Sequence, residues 1–270
     1  MKFRALLVAA ALSCGAGQAQ AQAVYPSAEA AGDALATALA RADRDALRRV
    51  LGANFMRYVP EHEVDMDDVY AFLEGWSKSH KVEQITPTRS ELVVGQNWHF
   101  PAPIVKTARG WQFDLPAGQA EMVKRRIGRN ELDTIATLKL LCESQAHYAR
   151  AFGQGKPAGR IVSSTGKRDG LYWPSTDGLE SPFGPDALVM GTDTPADAAL
   201  NGYHFRLLAG ESNGCSFLAW PARYGSLGVH SFVIGADGVV RERDLGASTS
   251  AEAGRIRSTS ALGDGWSAVQ

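Results

Sequence analysis

An apolar stripe of helical period in the second half of the chain is the feature that most constrains the fold. Between about Ala120 and Phe152, apolar side chains recur at steps of three and four residues, at Leu132, Ile135, Leu138, Cys142, Ala146 and Ala149. This spacing places them on one face of an α-helix, which must bury that face against another layer. Because Gly128 interrupts the first turns, the helix begins either near Ala120 or near Asn130.

The last third of the chain predicts the layer that this helix covers. After an irregular stretch at residues 153–201, four short runs of β-type sequence follow, at Tyr203–Leu208, Ser216–Trp220, His230–Ile234 and Val239–Arg243. Asp237 and Gly238, between the last two runs, are typical of a type I′ hairpin. We therefore predict an antiparallel meander with one long helix packed on it.

The first half of the chain predicts helices followed by strands. Amphipathic helices are expected over Ser27–Arg41, after Asp43 and after Asp65. The third of these helices has an apolar stripe, expected to be buried, at Val69, Phe72, Leu73 and Trp76. After Pro87 the pattern changes to short β-type runs, at Glu91–Val94, Ile104–Thr107 and Trp111–Phe113.

Together these patterns predict the α+β fold class. The chain is expected to form two small domains, residues 24–117 and residues 118–270, after a leader at residues 1–23. In each domain a helix packs on a short antiparallel sheet.

Residues 1–23 have the layout of a secretory signal peptide. Two basic residues precede the apolar run Ala5–Leu12, and small residues then offer overlapping cleavage sites after Ala21 and after Ala23. The apolar run is too short to cross a membrane as a helix. The sequence therefore predicts a periplasmic or secreted protein, from which the leader, including Cys14, is removed.

Composition and residue spacing exclude several classes of protein. The 270 residues include 28 Lys and Arg against 29 Asp and Glu, so the net charge is −1. Such a balanced chain has no basic surface of the kind that binds nucleic acid. Beyond the leader no apolar run reaches 18 residues, so we expect no membrane span. The six histidines lack H-x-x-x-H and H-E-x-x-H spacing, and we predict neither a metal nor a cofactor.

One motif resembles a catalytic one. Gly210–Gly214 matches G-x-S-x-G, the sequence around the nucleophilic serine of α/β-hydrolases, with Ser212 at its centre. That serine requires a strand before it and a helix after it, whereas both flanks here are predicted strands. We therefore favour a hairpin turn at Ser212 over a nucleophile.

An acidic cluster at Glu61–Asp68 includes His62. It lacks the central glycine and the terminal bidentate acid of a calcium loop. The start of a solvated helix explains it better, because acids are favoured there.

The segment Gly166–Pro174 brings together side chains that could bind a ligand. Two cations, a carboxylate and two aromatic rings lie close together, at Lys167, Arg168, Asp169, Tyr172 and Trp173. Arginine and flat rings can grip an anionic or sugar-like ligand. The alternative, which we favour, is a turn pinned by an Arg168–Asp169 network with both rings packed down as anchors.

Two cysteines remain after the leader is removed. Cys142 lies on the apolar stripe, and Cys215 opens a strand of the sheet that the helix is expected to cover. Exported proteins meet oxidising conditions, so we predict a disulfide between the two. A buried, reduced pair is the alternative.

Several short segments carry a resemblance to a known family. In order, they are Trp98–Pro101, Gly110–Asp114, Arg126–Leu132, Gly166–Pro174, Ser181–Pro185, Gly202–Phe205, Ala219–Gly225 and Gly238–Arg241. They resemble domain of unknown function 2950, a family of exported bacterial proteins, over nearly the whole chain after the leader. The family has no assigned activity or catalytic residues, so this resemblance implies export but no reaction.

Two weaker resemblances concern architecture. Residues 25–115 resemble the cone-shaped fold of the nuclear transport factor 2 superfamily, which implies helices, a curved sheet and a pocket. Residues 126–246 resemble the globular heads of type II pseudopilins, which implies one helix on an antiparallel meander. Because residues 118–129 are largely polar, the apolar first half of a pilin helix is absent, and assembly into a pilus is not implied.

These observations favour a non-catalytic function. We expect an exported binding or accessory protein of the cell envelope, whose partner is an envelope protein or a small ligand. The alternative is a periplasmic hydrolase that uses the pocket of the first domain or the Lys167–Trp173 segment.

Overall fold

Helices and antiparallel sheets make up most of the chain, which confirms the predicted α+β class. The computed structural model describes residues 21–59, 64–175, 178–191, 194–195, 198–209 and 214–269. Contacts between Cα atoms divide the chain into two units, Met1–Gln119 and Ala120–Gln270, which we call unit 1 and unit 2. Most of the predicted leader, residues 1–20, lies outside the described residues.

Unit 1 begins with three helices, α1 (Ala28–Ala40), α2 (Arg44–Leu51) and α3 (Met66–Lys78). Each starts after a residue whose side chain accepts a hydrogen bond from the first turn, at Ser27, Asp43 and Asp65. These caps satisfy backbone N–H groups that have no partner within the helix. The predicted helix starts follow from them.

The sheet of unit 1 is antiparallel. Its strands are β1 (His80–Thr86), β2 (Arg89–Val94), β3 (Trp98–His99), β4 (Ile104–Thr107) and β5 (Gly110–Phe113), in the order β1-β2-β4-β5, with β3 paired to β2. The sequence analysis did not predict β1. The most deeply buried side chains include Leu35, Leu92, Ile104 and Phe113.

The expected burial of the α3 stripe is wrong. No residue of α3 is buried, and Val69, Phe72, Leu73 and Trp76 are all half-buried. The close approach to the sheet is made by Gly75, where an added Cβ would lie 3.1 Å from Val94. The helix therefore contacts β2 through a glycine, and its apolar stripe keeps contact with solvent.

A helix of 37 residues, α4 (Leu115–Ala151), runs into unit 2. It begins before either predicted start and continues through Gly128. The buried positions also differ from the prediction, because Leu132 is 69% exposed and Ala146 is exposed. The buried residues of α4 are Leu115, Gly118, Thr134, Leu138, Leu141, Ser144, Gln145 and Tyr148.

Two sheets follow α4. A parallel pair, β6 (Arg160–Val162) and β7 (Gly170–Tyr172), lies within the stretch predicted to be irregular. An antiparallel sheet has the order β12-β11-β10-β9-β8, with β8 at Tyr203–Leu207, β9 at Phe217–Pro221, β10 at His230–Ile234, β11 at Val240–Asp244 and β12 at Ser267–Ala268. A short helix, α5 (Thr249–Arg255), precedes β12.

The β10–β11 connection is not the predicted type I′ turn. That turn needs two left-handed residues, whereas Gly238 has φ 71° and Asp237 has no positive φ. The backbone N–H of Gly238 donates to the carbonyl of Gly235 at 2.9 Å.

The antiparallel sheet of unit 2 has an apolar core on each face. Phe205, Phe217 and Phe232 belong to the same cluster of buried residues as Leu138 and Leu141 of α4. On the other face, a smaller cluster joins Leu208, Leu218, Val233 and Ala253 of α5, flanked by Trp220, Leu245, Ile256, Leu262 and Trp266. Alternation along each strand separates the two clusters.

Cys142 of α4 is bonded to Cys215, which lies just before β9. The two Cα atoms are 4.7 Å apart and the residues are separated by 73 positions in the sequence. This disulfide links α4 covalently to the chain just before β9.

Candidate functional site

The five predicted ligand-binding residues lie in the connection between β6 and β7, in β7 and directly after it. We call Ser163–Trp173 the pinned turn, because several hydrogen bonds fix its backbone. The Asp169 carboxylate accepts hydrogen bonds from the Ser164 N–H and hydroxyl, both at 2.8 Å. The Tyr148 hydroxyl donates to the Arg168 carbonyl at 2.7 Å.

Asp169 is directed towards its own turn. The pKa of Asp169 is lowered mainly because the carboxylate accepts a hydrogen bond from the backbone N–H of Ser164. The Arg160 guanidinium, 3.8 Å from the carboxylate, lowers this pKa further. The network that pins the turn therefore uses Ser164 and Arg160 as the partners of Asp169, where the sequence suggested Arg168.

The two aromatic side chains face the protein interior. Trp173 is 5% exposed, its indole N–H donates to the Leu179 carbonyl at 3.2 Å, and its ring meets Phe152 edge-on at 4.9 Å. Tyr172 is half-buried against the same core. Trp173 is thus a core residue and offers no open face to a ligand.

The two cations face solvent. Lys167 and Arg168 are exposed at the tip of the pinned turn. The Arg168 guanidinium lies 5.8 Å from the centre of the Trp173 ring, within cation–π range. The structure therefore brings all five predicted residues together, and it presents the positive charges outwards while the rings and the carboxylate hold the backbone.

A second cluster joins α4 to the start of β10. The Glu131 carboxylate accepts hydrogen bonds from the N–H groups of Val229 and His230, at 2.9 and 3.0 Å, and lies 3.4 Å from His230 Nδ1. The Tyr203 hydroxyl donates to the His230 carbonyl at 2.9 Å. Burial and the Glu131 carboxylate raise the pKa of Tyr203.

This cluster has a structural role that the contacts make plain. Asn130 donates from its side chain to the Leu227 carbonyl at 2.8 Å, beside the bonds that Glu131 makes. A Cβ on Gly228 would overlap the Tyr203 ring, so only glycine fits. Consecutive residues of α4 thereby hold the loop that leads into β10.

The motif around Ser212 lies mostly outside the described residues, which omit residues 210–213. Its last residue, Gly214, packs against the Gln145 side chain of α4, whereas His230 lies against Glu131. These two positions on α4 are about 21 Å apart at 1.5 Å per residue. The described end of the motif is therefore distant from the His230–Glu131 pair.

The acidic cluster is described only in part, because residues 60–63, with His62, are omitted. Asp65 and Asp68 form a capping box at the start of α3, in which each carboxylate accepts from the other's backbone N–H. Across the described residues, no group of three or more His, Cys, Asp or Glu side chains could hold a metal ion.

A groove in unit 2 escaped the sequence analysis. Two cavities, of about 430 and 510 Å³, share Leu262 and Trp266 as lining residues. We call them together the Trp266 groove. Arg241 lines the first cavity and Arg243 the second. Successive side chains of a strand point to opposite faces, so Arg241 and Arg243 lie on the same face of β11. This spacing in Val240–Asp244 was the one signal in the sequence that pointed to the groove.

No helix within the described ranges is both long and apolar enough to cross a membrane. A family model described as Protein of unknown function (DUF2950) matches residues 22–269. No curated protein matches the chain, and no solved structure does.

Proposed function

Because the chain belongs to the DUF2950 family, whose description names no activity, we propose its function from its own geometry. The protein is an exported, non-catalytic binding or accessory protein of the cell envelope. Its binding surface is the pinned turn, and the group it recognises is anionic, on an envelope protein or a small ligand.

The observation that carries this proposal is that different residues of the pinned turn fix its backbone and present its charges. Asp169, Tyr172 and Trp173 fix the backbone, and Lys167 and Arg168 are exposed at its tip. A turn held in this way loses little conformational freedom when a ligand binds, so more of the interaction energy appears as affinity.

The positive charges of Lys167 and Arg168 favour an anionic ligand. The Asp169 carboxylate is bound to Ser164 and Arg160 within the turn, and Lys167 and Arg168 are both exposed. Arginine offers a planar fork for a carboxylate or phosphate, and lysine adds a second positive charge. Because Trp173 is buried, its ring is not available for a sugar to stack on, which favours an anionic ligand over a neutral sugar.

Capture from the periplasm tests the proposal. The variant Lys167→Gln/Arg168→Gln is compared with Lys139→Gln/Arg150→Gln, which removes two exposed cations from α4. We expect the unaltered protein and the α4 variant to retain the same cross-linked partner or ligand. The turn variant should retain at least about tenfold less, or about 1.4 kcal/mol of binding. Equal capture by all three would make the turn a structural anchor only.

Export is part of the proposal and has its own test. Intact-mass measurement of the protein recovered from the periplasm should give a chain that begins after Ala21 or Ala23. A cytoplasmic chain that retains Met1 would refute export.

For the two units we propose the architectures that the sequence resembles. The helices of unit 1 precede its antiparallel sheet, as in the nuclear transport factor 2 superfamily, and α4 covers a meander in unit 2, as in pseudopilin heads. An experimental structure with a different strand order would contradict either assignment.

An enzyme is the alternative, and one contact favours it. The Glu131 carboxylate behind His230 is the arrangement that orients an imidazole as a general base. If a hydrolase activity is found, His230→Gln should abolish it and His204→Gln should not. We expect Ser212→Ala to leave it unchanged and to alter the free energy of unfolding by about 0.5 kcal/mol or less.

A further inference from the structure

The Trp266 groove lies on the face of the unit 2 sheet that carries α5. In β10 and β11, Ser231 is opposite Arg243 and Val233 is opposite Arg241, so both arginines lie on one face. The pairing of β12 with β11 brings Trp266, the residue before β12, to the same strand. Residues distant in the sequence thus line one groove.

Two of the arginines around the groove are neutralised by carboxylates. Arg241 pairs with Asp237 at 2.6 Å, and Arg255 pairs with Glu252 at 2.5 Å. The Asp244 carboxylate accepts from the Tyr224 hydroxyl and from the Gly246 N–H.

Arg243 differs from both. Among the residues that the structure describes, no carboxylate lies within 4.0 Å of it and no side chain or carbonyl accepts a hydrogen bond from it. Its side chain is half-buried. A half-buried guanidinium is partly removed from water, and an anion that it contacts gains more than it would in bulk solvent.

The Arg243 side chain lies against the backbone of Gly265. A Cβ on Gly265 would lie 3.4 Å from the Arg243 Nε and 3.6 Å from its Cζ. Gly265 has φ +93°, a conformation that favours glycine. The guanidinium therefore lies along a glycine backbone, next to Trp266.

The second cavity has both polar and apolar walls, because Asp244, Ser248, Glu252 and Arg255 line it as well as apolar side chains. Leu245, Ile256, Leu262 and Trp266 line it together with Arg243. Concave sites in which apolar side chains stand beside a few polar and charged groups are typical of small-molecule binding, and this cavity has a volume of about 510 Å³.

We propose that the Trp266 groove binds a small carboxylic acid with an apolar or aromatic body. The carboxylate accepts from the fork of Arg243, and the body packs on Trp266 and Leu262. A single negative charge fits better than a phosphate dianion, because Asp244 and Glu252 line the same cavity and repel a second charge. This site is separate from the pinned turn and does not depend on the function proposed there.

Titration with 3-phenylpropionate, and with the uncharged 3-phenylpropanamide of the same shape, tests the site. The reporter is the indole N–H signal of Trp266 in the NMR spectrum of the intact, disulfide-bonded protein, assigned with Trp266→Phe. We expect the acid to shift this signal and to bind at least about tenfold more tightly than the amide, a difference of about 1.4 kcal/mol.

Two variants assign the preference to one arginine. In Arg243→Gln, the acid and the amide should bind equally, while the other indole signals keep their positions and show that the fold is intact. In Arg241→Gln, which removes an arginine of the same strand and face, the preference for the acid should persist.

Three outcomes would overturn the proposal. The first is no shift of the Trp266 signal at about 20 mM acid, a concentration that would occupy the site even if the dissociation constant were about 1 mM. The second is equal affinity for acid and amide in the unaltered protein. The third is tighter binding of phenyl phosphate than of phenylpropionate, which would contradict a site for a single charge.

Discussion

The pinned turn and the Trp266 groove each combine arginine with tryptophan, and they use the pair in opposite ways. In the pinned turn, Trp173 is 5% exposed and supports an exposed Arg168 from below. In the groove, Trp266 is half-buried and lines a cavity, and Arg243 lies along a glycine backbone. Burial of the ring, rather than the residue types, decides whether the tryptophan serves stability or is available to a ligand.

Replacement of the two tryptophans should separate these roles most strongly. Trp173→Ala leaves a cavity in the core of unit 2 and removes an indole hydrogen bond, so we expect a loss of about 3–5 kcal/mol of unfolding free energy. Trp266→Ala should cost at most about 2 kcal/mol, because the ring is only half-buried. Denaturant unfolding measures both, and equal losses would contradict the comparison.

Removal of the disulfide should lower stability without altering the groove. Cys142→Ala/Cys215→Ala opens a link between positions 73 residues apart, for which we expect a loss of about 2–4 kcal/mol. Phenylpropionate should still bind to the folded variant, because the bond joins α4 to the other side of the sheet. In the unaltered, unreduced protein without its leader, thiol titration should find no free thiol, and two per chain would mean that no bridge forms.

The Asp169 carboxylate, which pins the turn, should contribute less to the free energy of unfolding than the disulfide does. Asp169→Asn weakens the bonds to Ser164, and we expect about 0.5–1 kcal/mol, because the side chain is 40% exposed and solvent screens its charge. Glu180→Gln, at an exposed acid nearby, is the control and should have no effect.

The effect of Asp169 should depend on pH. Because the pKa of Asp169 is lowered in the folded protein, its contribution is complete above the unfolded-state pKa of about 4. The contribution is lost as the pH falls through the lowered pKa. The difference in unfolding free energy between Asp169→Asn and the unaltered protein should therefore vanish at low pH, and a constant difference would contradict this account.

The smallest effect on stability is expected for the cations at the tip. Lys167→Gln/Arg168→Gln should change the unfolding free energy by about 0.5 kcal/mol or less, because both side chains are exposed. A loss as large as that expected for Trp173→Ala would show that the cations hold the fold together and would weaken their assignment to binding.

The sequence predicted the elements that depend on neighbouring residues. The starts of α1, α2 and α3 follow from Ser27, Asp43 and Asp65, whose caps act within one helical turn. The strands β6 and β7 have three residues each and pair in parallel, so the contacts that define them are not visible as a local pattern.

The buried face of α4 shows a further limit. Thr134 and Gln145 are buried because their polar groups find partners, the Asn130 carbonyl for one and the backbone of Ala158 for the other. An apolar pattern cannot reveal such positions, and it wrongly selected Leu132, which is 69% exposed.

The two candidate sites also differ in how much of each is visible in the sequence. The residues of the pinned turn are adjacent in the sequence, so the sequence could single them out as one segment. The inward direction of Trp173 and Asp169 depends on Phe152 and Ser164, which that segment does not reveal as partners. The groove was missed because Arg243 and Trp266 meet only through the pairing of β12 with β11.

The central claim, that the protein acts by binding at the tip of the pinned turn, is tested most directly by photo-cross-linking in intact cells. A photoreactive amino acid replaces Lys167 in one chain and Lys139, an exposed lysine of α4, in another. The account predicts a defined adduct from position 167 that is absent at position 139. No adduct at position 167, or the same adduct at both positions, would contradict it.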